Sequence, residues 1–219
     1  MSTLQPILFA ATLLLGRAPA LAPARVALDA PPPVVAWKEL SDRPIQWLGQ
    51  TVRLQLQFSN RVAAWNPYMT RFGPGQFTAF QAWTDDQFPW IKAEYDAPAV
   101  RVFSRIGSAS DWALEAAKPG ARFEMTVIVR ETFLDLPWVE IIGILPLPER
   151  ISEGASIHAG KACELMQARS FTLAQSELEQ SITDDLPPPA RAELERLLAL
   201  CRDAIALEKG ERGASPARR

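Results

Sequence analysis

One histidine, two cysteines and no glycine-rich phosphate loop leave this chain of 219 residues short of ordinary catalytic equipment. Any Ser/His/Asp or Cys/His arrangement would have to use His158. That residue stands among Ala and Gly with no acidic neighbour in sequence, and Cys163 lies five positions away, off the same helical face. Zinc sites of ordinary composition are excluded unless carboxylates complete them. Gly73-Pro74-Gly75 reads as a turn and not as a phosphate cradle. No apolar run reaches the roughly 20 residues that a membrane-spanning helix needs. Charge of one sign is also missing, with 23 Lys and Arg against 25 Asp and Glu. A protein that grips a nucleic-acid backbone normally carries a basic excess, so this balance speaks against nucleic acid as a partner. The expectation is of no cofactor and no metal.

What is present is a core. The chain is 48% hydrophobic and carries seven Trp and ten Phe, the composition of a folded globular protein. Its first residues read as an export signal spanning 1–24. Ile7 to Leu15 is an apolar run, and Ala18-Pro19-Ala20 and Ala22-Pro23-Ala24 are both small-x-small cleavage candidates. No Lys or Arg precedes the run, which makes its charged leading region weak, and no Cys follows it to carry a lipid. The expectation is an exported protein, periplasmic or secreted, with no transmembrane segment after cleavage.

Proline-rich breaks divide the rest. Pro31-Pro32-Pro33 belongs to an extended lead-in over 25–44. Leu145-Pro146-Leu147-Pro148 closes an aromatic-rich segment over 45–148 that holds all the Trp from Trp47 onward. Beyond it, 149–209 is rich in Ala, Leu, Glu and Arg with Phe171 as its one aromatic residue, and 210–219 is expected to be a disordered tail.

The middle segment is strand-rich. In Gln50 to Phe58, Val52, Leu54, Leu56 and Phe58 share one face, and polar residues the other. Further runs follow at Gln76 to Trp83 and Val100 to Phe103. Ser108 to Gly120 changes period to a short helix, with Ser110 expected as its N-cap and Lys118-Pro119-Gly120 as its stop. A final hairpin places Phe123, Met125, Val127 and Val129 inward and returns through Trp138 to Ile144, turning near Leu134-Asp135-Leu136-Pro137. Two features carry a family resemblance: the Leu48-Gly49-Gln50-Thr51-Val52 entry to the first strand, and the helix-Lys-Pro-Gly passage into Val127-Ile128-Val129-Arg130. On these the segment resembles the oligonucleotide/oligosaccharide-binding (OB) domains. The resemblance implies a five-stranded Greek-key barrel that binds across strands two and three.

That region holds Trp65, Tyr68, Phe72, Phe77, Phe80, Trp83, Phe88 and Trp90, more aromatic side chains than one face of a small barrel needs. Three uses are open. Trp65, Tyr68, Phe72, Phe80, Trp83, Phe88 and Trp90 could form a platform for a protein, peptide or glycan partner, the leading expectation. They could stack bases of single-stranded nucleic acid, with Arg61, Arg71, Lys92, Arg101 and Arg105 on phosphates, the alternative. Against that, Leu48 to Leu145 has nine Lys and Arg and ten Asp and Glu. Or they could be core and lid, covered by the Asn60–Gly75 loop or by the C-terminal helices. A third function, hydrolysis by a carboxylate pair at Asp85-Asp86, competes with the plainer reading of a solvated turn.

From Ser152 the period is helical, in two or three helices. Ala162 and Leu165, then Phe171, Ala174 and Leu178, then Leu186-Pro187, resemble one tetratricopeptide repeat that lacks the Trp and Leu-Gly pair of its first helix. A lone unit implies a cap on a neighbouring domain. Cys163 and Cys201 fall on different helices and form a disulfide candidate, or remain two buried thiols. The expected class is therefore α+β: a five-stranded OB-like barrel, then a small helical hairpin.

Overall fold

The structure, a computed structural model, describes residues 31–214. The proposed export signal lies outside the described residues. A short helix α1 (Trp37–Asp42) and a 3-10 turn (Pro44–Trp47) interrupt the lead-in that was expected to be extended, because Leu40 turns into the barrel core. Five strands follow: β1 (Thr51–Val62), β2 (Phe77–Thr84), β3 (Val100–Arg105), β4 (Arg122–Phe133) and β5 (Leu136–Pro146). They close in the order β1-β2-β3-β5-β4, with β4 returning to β1. This is the OB-type Greek-key barrel, and with the helices that follow, the fold is α+β.

Closure depends on two irregularities. β1 pairs with β4 through its first half and with β2 through its second, and a bulge between Phe58 and Asn60 bends it from one partner to the other. β3 and β5 meet in a short parallel pairing, Val102 to Val139 and Phe103 to Glu140. Alternate residues fill the interior: Val52, Leu54, Leu56, Phe58, Phe80, Val102, Met125, Val127, Val129 and Val139 form one buried cluster. The four inward positions expected on β4 are all in it. Helix α3 (Ala109–Glu115) caps the barrel by inserting Leu114. Its N-cap is Ser108, two residues before the expected Ser110; the Ser108 hydroxyl accepts from the Asp111 amide, and the Asp111 carboxylate accepts from Gly107 N–H. Ser110 is buried instead.

The β2–β3 connection carries a small helix, α2 (Lys92–Asp96). It also sends Phe88 and Trp90 away from the barrel, stacked at 4.8 Å, into the helical segment. That segment consists of α4 (Glu153–Gln167), α5 (Phe171–Ser181) and α6 (Pro188–Ala214), so helix continues past Lys209 into the stretch expected to be a tail. Ala155, Ala159 and Ala162 of α4 meet Ala174 and Leu178 of α5 and Leu194 and Leu198 of α6, small against large. Gly160 of α4 packs against Trp90. The cysteine expectation is corrected here: Cys163 and Cys201 are free thiols. Burial pushes both thiols up, as expected of small hydrophobes in the helical core.

Candidate functional site

Residues of β2, β3 and β5 that point out of the barrel form a second apolar layer. Phe77, Ala79 and Phe103 are buried there although they face away from the core, and Trp138 packs beside them. Three large rings on the outside of a sheet would expose several hundred Å² of apolar surface. The loop between β1 and β2, residues 63–76, covers them. Its Phe72 stacks on Phe103 with ring centres 4.3 Å apart and planes 2° apart, and meets Phe77 edge-on at 4.9 Å. Trp65 sets its edge against Phe103 and donates its indole N–H to the Phe72 carbonyl at 2.7 Å. Phe103 stacks in turn on Trp138, at 5.3 Å.

A carboxylate latches this loop down. Glu131 on β4 accepts from the Thr70 hydroxyl, the Arg71 amide and the Arg71 guanidinium. Glu131 can do so because a bulge between Val129 and Glu131 breaks the alternation of β4. Arg130, the extra residue, reaches the buried Glu140 of β5 through its Nε at 2.6 Å. Arg105 of β3 reaches the other oxygen of Glu140 at 2.7 Å and lies over the Phe77 ring. Arg101 lies 6.0 Å over the Trp138 ring and has no carboxylate partner among the described residues. Around the aromatic layer, therefore, Arg71, Arg105 and Arg130 meet Glu131 and Glu140, and Arg101 stands beside them over Trp138.

The aromatic residues expected to form one surface are divided among four places. Phe80 faces inward and is part of the barrel core. Trp83 is buried, donates to the Glu94 carbonyl at 3.1 Å and packs on Tyr95. Phe88 and Trp90 are spent on the helices. Trp65 and Phe72 belong to the covering loop, and Tyr68, at its tip, is 96% exposed. The leading expectation, an aromatic platform for a protein, peptide or glycan partner, is corrected by this division, because every one of these rings but Tyr68 is buried or half-buried against the chain itself. Sequence reasoning overlooked Trp138, Arg130 and Glu140. The alternation Arg101-Phe103-Arg105 against Val100-Val102 was a signal for the β3 face; the β4 bulge had none.

The other candidate chemistry is also accounted for. Asp85 forms a two-pronged ion pair with Arg122, at 3.0 and 2.6 Å, and Arg122 also donates to Gln55 at 2.9 Å. Asp85 is thus tied to a buried cation, while Asp86 is exposed. His158 Nδ1 lies 2.7 Å from Glu177, which also pairs with Lys161. These hydrogen bonds, His158 first and then Lys161, hold the Glu177 carboxyl below its ordinary value. Arg61 pairs with Glu115, and Lys92 with Asp96, whose hydrogen bond raises the ammonium above its usual value. No cluster of three or more His, Cys, Asp or Glu placed to hold a metal occurs among the described residues.

No protein-family model and no curated protein matches the chain. Among solved structures it is similar to a chain in the crystal structure of yeast Stn1 and Ten1, with 16% identity and a TM-score of 0.32, over 72% of this chain and 100% of that one. Two further expectations change with the structure. Export to the periplasm or beyond is not carried further, because residues 1–24, on which it rested, lie outside the described residues. The reading against nucleic acid as a partner is withdrawn as well. It averaged charge over the whole segment, whereas three arginines (Arg71, Arg105 and Arg130) share Glu131 and Glu140 beside the aromatic layer, and Arg101 lies over Trp138.

Proposed function

We propose that this chain is a single-stranded nucleic-acid-binding protein of the OB type, acting by binding and without catalysis. In this reading the strand runs along the outer face of β3 and β5, between the β1–β2 loop and the tip of the β4–β5 hairpin. The carrying observation is the local charge. Arg71, Arg101, Arg105 and Arg130 form one connected network with aromatic rings and only two carboxylates. A basic track bordered by aromatic side chains is what sequence-tolerant recognition of a single strand requires. Tyr68, fully solvated on the loop, supplies a free ring for a base, and Trp65 and Phe72 hold that loop in place.

Residues 45–148 are the binding domain in this proposal, and 149–209 a helical cap that shields Trp90 and Phe88. The likeness of α4 and α5 to a tetratricopeptide unit belongs to the proposal only in that packing role.

The test is fluorescence anisotropy of the full chain with a labelled single strand of about 12 nucleotides, within the site sizes such barrels use. With up to four phosphate contacts, the logarithm of affinity should fall against the logarithm of salt with a slope of roughly −2 to −3. Absence of binding at about 50 mM salt, or binding indifferent to salt, would sink the reading.

A further inference from the structure

Glu140 is a buried carboxylate, 4% exposed, holding two arginines at once. Both are held through Nε: Arg105 on one oxygen at 2.7 Å, Arg130 on the other at 2.6 Å. These contacts engage Nε and leave the Nη groups of both arginines outside the pairing with Glu140. Arg105 is further oriented by lying 5.0 Å over the Phe77 ring, yet its side chain remains 62% exposed; that of Arg130 is 39% exposed. Two guanidinium planes are thus anchored from behind by one shared anion, with their outer N–H groups presented to solvent. One carboxylate leaves one of the two positive charges uncompensated.

From this geometry we propose that Arg105 and Arg130 form a phosphate-binding clamp, with Glu140 as its positioning residue. A tetrahedral oxyanion accepts from the Nη groups of both, the forked geometry for which arginine is suited and lysine is not. The inference rests on the nucleic-acid reading for its source of phosphate, a backbone phosphodiester; free phosphate shares the chemistry. Glu140 fixes the two planes and costs the site one unit of charge. Charge alone therefore predicts that Glu140→Gln strengthens binding, whereas positioning predicts that it weakens binding.

Two measurements on the full chain separate these outcomes. The first is anisotropy titration of the labelled single strand across salt, with wild type, Arg105→Gln, Arg130→Gln, the Lys counterparts and Glu140→Gln, each checked for a cooperative unfolding transition. The expected result is a salt slope reduced by about 0.7 for each arginine lost to Gln. The Lys variants should keep the slope and lose affinity, and Glu140→Gln should weaken binding. The second is the side-chain ¹⁵N–¹H resonances of Arg105 and Arg130 during titration with inorganic phosphate, where both should move together. If the strand binds and neither Gln variant changes the slope, the clamp is wrong and the nucleic-acid reading survives. If the wild type binds no strand, that reading fails and the phosphate titration decides the clamp: joint movement sustains it, and static resonances overturn it.

Discussion

Phe72 lies flat on Phe103, ring centres 4.3 Å apart and planes within 2°, on the outside of the barrel. A side chain from the β1–β2 loop thus takes up a ring face of β3 that would otherwise be open to solvent. The loop is held there by its own aromatic contacts and by Glu131. Phe72→Ala should remove one of the largest buried side chains of this layer and destabilise the protein by about 3–5 kcal/mol. Urea unfolding measures it. A loss below about 1 kcal/mol would mean that the loop does not pack as described.

Arg122 is almost fully buried, and its main anion is Asp85. Breaking such a pair from one side strands a charge. Asp85→Ala is therefore expected to lower stability by about 3 kcal/mol. An effect near zero in the same denaturation would show that Glu149, at 3.5 Å, or solvent compensates the guanidinium.

The hairpin between β4 and β5 turns through Leu134 and Asp135, both at positive φ, 49° and 57°. That is the two-residue turn whose twist matches the strands, but leucine is poorly suited to the left-handed region. Its side chain is exposed, so little packing is lost on replacement. Leu134→Asn should raise stability by about 0.5–1 kcal/mol, read as a higher melting temperature. A lowered melting temperature would contradict the turn geometry.

Glu177 offers a pH-dependent signature. Its carboxyl is held below an ordinary value near 4.5 by His158 and Lys161. A group whose folded value is depressed contributes stability above its unfolded value and loses that contribution as pH falls through the folded one. The stability difference between wild type and Glu177→Gln should thus close progressively as pH falls below about 4.5. A difference that stays unchanged through that acid range would refute the contact.

The alternation of Val52, Leu54, Leu56 and Phe58, and of Phe123 to Val129, was legible because a strand with one buried face repeats every two residues. The helix after Ser108 was legible through its capping chemistry, displaced by two residues because serine at 108 and at 110 looks equally able to cap. The candidate site was far less legible. Aromatic density between Trp65 and Trp90 pointed to a surface, yet Phe80, Trp83, Phe88 and Trp90 went to three different buried environments. Burial depends on what arrives from elsewhere in the chain, and α4 to α6 begin more than 60 residues after Trp90.

Local pattern determined the strands, the capping helix, the helical third and hence the α+β class, since each is set by the period of its own apolar residues. Tertiary structure alone decided which rings are covered, and which charges gather. Glu140 could be read in sequence only as one acidic residue in a balanced count. Closing the barrel brings Arg105 from β3 and Arg130 from a bulge in β4 onto its two oxygens, making that face basic where the average is neutral. Net charge is a property of composition; local charge is a property of the fold, because screening confines its effect to about 10 Å.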